Sequence, residues 1–327
     1  MKIAVSCGDL NGIGLETLIK GLPEIYNELD SNTSITLFSN LNLIKDYCDL
    51  IGLDYKITDD KFSYLDYKLK IENTTSYFNI DLGKTDAKAG QVAFESLQYA
   101  TQRMIDGEFD ALVTLPISKE AMHLAGFSFP GHTEYLAEVD KKENPLMILF
   151  NDKIKVALAT IHIPISKVPS SISIQKLNEL IFKFQNSLSV DFGLENPKIA
   201  VLGLNPHAGE NGDIGNEEIE IINKSIIELQ SNEILVEGTF PADGFFGQHL
   251  YSKYDGVFAM YHDQGLIPMK MLSVNGGVNF SAGLSFVRTS PDHGTAFAIA
   301  GKNLANPKST LQSIIWAEKI VNFRKNR

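Results

Sequence analysis

A chain of 327 residues, 44% hydrophobic and 21% charged, has the make-up of a globular protein. It is too long for one small core, so two lobes or one large α/β unit are expected. A formal net charge of −11 argues against nucleic acid as a partner, because phosphate binding needs a basic face. Cys7 and Cys48 offer no disulfide framework and fit a reducing cytosol. No apolar run approaches the length of a membrane helix, and the run after Met1-Lys2 is too short for a secretory leader. The expectation is a cytoplasmic protein that engages neither nucleic acid nor membrane.

In chain order, residues 2–7 (KIAVSC) predict a buried first strand. The glycine-rich turn GDLNGIGLE follows and leads into a helix, and its backbone could approach a ligand closely. Its spacing is neither the dinucleotide fingerprint nor a Walker loop. ITLFSN predicts a strand, 90–106 a helix, and FDALVTLPISKEAM a strand, turn and helix with Lys119 just past the strand end. In FPGHTEYLA a Pro-Gly turn opens a helix, which leaves His132 without a capping role. PLMILF and IKVALAT flank an Asn151-Asp152 turn and predict a hairpin. Helices are expected over 174–189, 217–229 and 309–324, with strands at KIAVLGL, near Ile234 and at 257–260. Alternating strand and helix predicts a largely parallel sheet with flanking helices.

The stretch 255–301 carries the densest chemistry. Its apolar run opens directly into Tyr261-His262-Asp263-Gln264-Gly265, and open α/β sheets place ligands at such strand ends. Three of the seven histidines, His162, His207 and His262, each stand just beyond a strong strand, in IHIP, NPHAGE and MYHDQG. Strand ends of one sheet converge, so three imidazoles could meet on one divalent ion with open positions, the catalytic pattern. His132 and His293 are candidates for substrate or cofactor contacts, whereas His123 and His249 read as structural or surface residues. Asp243 and Asp263 could orient the ligating imidazoles. Lys270, Asn279 and Arg288 could clamp a phosphate or carboxylate.

Taken together, GDLNGIGLE, PGHTEYLAE, ATIHIP, NPHAGENGDIGNEE, FPAD, YHDQGLIPMK and GGVNFSAGLSFVRTSPDHGTAFAIAGK resemble the 4-hydroxythreonine-4-phosphate dehydrogenase family of vitamin B6 biosynthesis, over essentially the whole chain. The resemblance implies an isocitrate/isopropylmalate-dehydrogenase-like α/β fold with two α/β lobes and an active-site cleft between them. The first lobe is expected at 1–130 plus 290–327, and the second, with the metal-ligand and dimer-forming elements, at 131–289. It implies a homodimer whose site is shared between subunits, and one divalent ion (Zn, Mg, Co or similar) on His162, His207 and His262. Those histidines and Lys270 form the implied catalytic set. His132, Thr133, Lys270, Asn279 and Arg288 are the implied substrate contacts, and NAD or NADP is expected near Asp292, His293 and Gly294.

The implied reaction is oxidation of 4-phosphooxy-L-threonine at C3 followed by decarboxylation to 3-amino-2-oxopropyl phosphate, on the way to pyridoxal 5'-phosphate. A relative acting on a 4-phosphorylated threonate or erythronate, or on a cyclic dihydrodiol carboxylate, would keep the same histidines. A metal-dependent hydrolase is the more distant alternative. Leu10, Asn11, Leu15, Ser285 and Ala298 depart from the family's usual residues and bear on substrate and cofactor preference.

Overall fold

A computed structural model of the chain describes residues 1–58, 61–143 and 145–326. Its strands in chain order are β1 (Lys2–Ser6), β2 (Ser34–Ser39), β3 (Lys56–Thr58), β4 (Lys61–Tyr64), β5 (Tyr67–Asn73), β6 (Ala111–Thr114) and β7 (Leu146–Phe150). There follow β8 (Lys155–Leu158), β9 (Ile199–Leu202), β10 (Val236–Phe240), β11 (Gly256–Ala259), β12 (Val278–Ala282) and β13 (Val287–Pro291). The chain divides into two units, each α/β. One comprises Met1–Pro145, Asn275–Asn279 and Leu284–Asn322; the other comprises Leu146–Val274, Phe280–Gly283 and Phe323–Arg327.

In the first unit the strand order is β13-β6-β1-β2-β5-β4-β3. Pairing is parallel from β13 to β5, and an antiparallel ribbon of β4 and β3 closes the edge. Every residue of β6 and β13 is buried, as strands covered on both faces require. The chain passes from β1 through helix Gly14–Glu28 to β2 on one side, while β6 lies on the other. The carboxyl ends of β1 and β6 therefore flank a topological switch point, where such sheets form a crevice. The core here includes Ala4, Phe38, Leu97, Leu112, Met122 and Leu136.

Local signals set the helix starts. Asp86 caps helix Ala87–Ile105 by accepting from Lys88 N at 2.6 Å, so this helix begins before the Gly90 start expected from its apolar pattern. Ser118 caps helix Lys119–Leu124 in the same way, through Ala121 N at 3.2 Å. At Gly90 the two helices approach so closely that a Cβ there would lie 2.0 Å from the Ala121 carbonyl oxygen.

In the second unit the order is β10-β9-β11-β8-β7, parallel except for the β7–β8 hairpin. The hairpin forms where its sequence places it. The Asn151 side chain accepts from Lys153 N at 2.8 Å and Ile154 N at 3.0 Å, fixing the turn. Leu149, Val156, Leu158, Ala200, Leu202, Phe245, Val257 and Met269 form the core. The helix expected over 217–229 instead opens as a π-helical turn, Glu218–Ile222, before continuing as helix Asn223–Ser231.

Candidate active site

Three strand ends of the second unit carry the histidines singled out in the sequence, and side chains tie those ends together. Thr160, beyond β8, donates its hydroxyl to the Met260 carbonyl at 2.7 Å. Gln264 donates to the Gly203 carbonyl at 2.6 Å and accepts from Met260 N at 2.7 Å, joining the ends of β9 and β11. His162 and His262 face each other with ring centroids 5.8 Å apart. Asp263 Oδ1 pairs with His262 Nδ1 at 2.7 Å and so orients the ring. Asp243 is exposed at the start of helix Ala242–Gly247. Among the described residues of one chain, no three His, Cys, Asp or Glu side chains gather into a metal-binding group.

His207 sits in an unusual backbone. From His207 to Asn211 five consecutive residues are left-handed, with φ of 52°, 51°, 81°, 43° and 56°. This conformation costs a residue other than glycine roughly 1–2 kcal/mol. His207, Ala208, Glu210 and Asn211 therefore hold it only because their surroundings impose it. The buried Glu218 carboxylate supplies part of that constraint: Oε1 accepts from Leu204 N at 2.7 Å and Asn205 N at 2.8 Å, and Oε2 accepts from Asn205 Nδ2 at 2.9 Å.

In the first unit, polar groups collect beyond β1, β6 and β13. Arg288 is fully buried in β13, and burial brings its pKa down to about 10, so it remains charged at neutral pH. Its Nη2 and Nε donate to the Thr114 hydroxyl at 2.6 Å and 3.1 Å. His132 begins helix His132–Asp140, with Thr133 half-buried beside it. Burial, with the positive charges of Arg288 and Lys119, holds the His132 pKa well below its ordinary value. Its buried Nε2 has no hydrogen-bond partner among the described residues.

Asp9 lies in the glycine-rich turn after β1. Oδ1 accepts from Asn11 N at 2.9 Å, Oδ2 is buried without a partner among the described residues, and burial pushes its pKa up to about 6. Asn11 braces the turn by donating to the Lys84 carbonyl at 2.9 Å and accepting from Asp81 N at 2.9 Å. The turn also abuts the segment after β13, since Ile13 N donates to Thr295 O at 3.1 Å. Near it, His293 Nδ1 pairs with the Gly294 carbonyl at 3.0 Å, and Asp292 accepts from the Ser309 hydroxyl at 2.8 Å. Asn279 is half-buried on β12, and Lys270 is exposed in the last turn of helix His262–Met271. Ser285 N donates to Asp140 Oδ2 at 2.7 Å, at the end of helix His132–Asp140.

Sequence reading singled out the three histidines, His132 and Arg288 but passed over Thr114, Thr160, Asn205, Glu218 and Gln264. Their partners are distant in the chain, so no local pattern marks them. No helix among the described residues is long and apolar enough to cross a membrane.

The model of the family described as pyridoxal phosphate biosynthetic protein PdxA matches residues 31–317. A 4-hydroxythreonine-4-phosphate dehydrogenase from Sulfurihydrogenibium sp. (strain YO3AOP1) is 38% identical over 326 residues, covering 99% of this chain and 100% of that protein. A D-threonate 4-phosphate dehydrogenase from Pectobacterium atrosepticum is also 38% identical, over 320 residues, covering 95% and 97%. Among solved structures, the 4-hydroxythreonine-4-phosphate dehydrogenase from Klebsiella pneumoniae superposes with a TM-score of 0.81 at 35% identity, covering 98% of each chain. The α/β fold is the one the motifs led us to expect, and the chain belongs to the PdxA family.

Proposed function

We propose that this protein is a 4-hydroxythreonine-4-phosphate dehydrogenase of pyridoxal 5'-phosphate biosynthesis, dependent on NAD or NADP and on a divalent metal ion. It oxidises 4-phosphooxy-L-threonine at C3, and loss of CO2 then gives 3-amino-2-oxopropyl phosphate. The observation that carries this reading is end-to-end similarity to enzymes of that name.

His162, His207 and His262 are the residues that would hold the ion, and the donor set suits it. Two imidazoles face each other, and a carboxylate orients one of them. Among the described residues of one chain no group of three gathers, and we propose that a second copy completes the set in a homodimer. When bound, a divalent ion supplies Lewis-acid polarisation of a coordinated oxygen.

The protein's own groups bind and orient the substrate. Arg288, fixed by Thr114 and charged at neutral pH, has the geometry to pair with a phosphate or carboxylate. His132, held neutral, offers Nε2 for one directed hydrogen bond, and Thr133 adds a hydroxyl. Lys270 and Asn279 complete the contacts to the substrate's anionic ends, turning remote binding energy into orientation at C3. The segment Asp292-His293-Gly294 serves the nicotinamide cofactor.

The relative named D-threonate 4-phosphate dehydrogenase, equally identical to this chain as the first relative above, favours one second reading: a 4-phosphorylated threonate as substrate. NADH or NADPH formation with a divalent metal and either substrate decides between them. Metal-dependent turnover of 4-phosphooxy-L-threonine is the expected result. Turnover of the threonate alone would move the protein to that second activity, and reduction with neither would remove both.

A further inference from the structure

The left-handed run His207–Asn211 follows β9, and part of what holds it is a buried carboxylate reached from the next helix. Glu218 is 1% exposed and stands at the first position of the π-helical turn Glu218–Ile222. π-turns recur at functional sites because they redirect a side chain within a helix. From there Oε1 holds the backbone N–H groups of Leu204 and Asn205, and Oε2 holds the Asn205 side-chain amide. The same carboxylate fills the space beside two glycines. A Cβ on Gly209 would come within 2.7 Å of Oε2, and one on Gly203 within 3.2 Å of Oε1. Glu218 thus touches the chain on both sides of His207, at Asn205 before it and at Gly209 after it.

We infer that Glu218 is a positioning residue for His207, setting the imidazole's direction through the backbone turn rather than by contact with the ring. The inference rests on the proposal that His207 is a metal ligand. Asn205 is the relay: its backbone and its side chain both answer to Glu218, and Glu217 Oε2 steadies the same amide at 2.8 Å. A neutral amide at position 218 keeps the volume but turns one acceptor into a donor facing the Asn205 amide, which loosens the turn without opening a cavity.

The test is a titration of the full-length protein with cobalt(II), followed by its visible ligand-field absorption, beside thermal unfolding. Glu218→Gln should unfold within a few degrees of wild type yet bind cobalt about 10–100-fold more weakly, the effect typical of groups that orient a ligand. The exposed Glu220→Gln should leave binding unchanged. His207→Ala separates the two layers of the argument. If His207→Ala weakens cobalt binding and a folded Glu218→Gln does not, the positioning role is wrong while the ligand assignment stands. If His207→Ala binds cobalt as wild type does, the ligand assignment fails and takes the positioning role with it. Should Glu218→Gln not fold, Glu218→Asp keeps the carboxylate but shortens its reach to Leu204 N and Asn205; a folded Glu218→Asp with wild-type cobalt affinity would equally overturn the inference.

Discussion

The buried guanidinium of Arg288 donates to the hydroxyl of Thr114 on the neighbouring strand β6, through Nη2 at 2.6 Å and Nε at 3.1 Å. A buried cation held this way loses positional freedom. Thr114→Val keeps the shape and removes the acceptor. We expect the KM for the phosphorylated substrate to rise about 10-fold or more, with kcat changing less, because the hydroxyl acts on binding through Arg288. Steady-state kinetics measure this, and a fall confined to kcat would count against it.

His132 should stay neutral across the working pH range, because burial and the charges of Arg288 and Lys119 depress its pKa. It follows that no ionisation of His132 shapes the profile of kcat/KM between about pH 6 and 9. His132→Gln should lower the whole curve and leave its shape unchanged. Loss or displacement of the acidic limb in the variant would show that the imidazole does titrate there.

Asp9 gives a stability prediction with a definite sign. Burial raises its folded pKa to about 6 from the ordinary 3.8, so the folded state holds the proton more tightly. That contribution is complete below about pH 4 and is lost as pH rises through about 6. Asp9→Asn, which cannot ionise, should match wild type in Tm below this window and exceed it by a few degrees above it. Tm measured against pH tests this; a difference that stays flat from acid to neutral pH would refute it.

Gly90→Ala addresses packing alone. The added methyl would lie 2.0 Å from the Ala121 carbonyl oxygen, a backbone atom that can yield only if helix Lys119–Leu124 shifts. We expect a loss of roughly 2–4 kcal/mol by denaturant unfolding. Unchanged stability would mean that the two helices can separate without loss.

Metal removal completes the set. Incubation with a chelator should abolish turnover, and adding back zinc, cobalt or magnesium should restore it to different extents. His262→Ala should resist such rescue, whereas Asp263→Asn, which keeps a side-chain acceptor for Nδ1–H, should retain partial metal affinity. Full activity in the chelated enzyme would remove the metal from the reaction.

Much of this protein could be read from its residues in order. Buried parallel strands appear as apolar runs, and the groups they deliver are the next residues in the chain, so His162, His207 and His262 were recognisable as strand-end histidines. The hairpin at Asn151 and the strand, turn and helix at 109–122 were legible for the same reason, since caps and turns are local. What the amino-acid order did not reveal depends on partners far apart. Thr114 and Arg288 are 174 positions apart, and Glu218 reaches back 14 positions to Leu204. The left-handed run at His207 has no glycine signature apart from Gly209, and the π-turn at Glu218 carries no motif of its own. Tertiary structure alone decides such features, because strained backbone and buried charge persist only where distant groups compensate them.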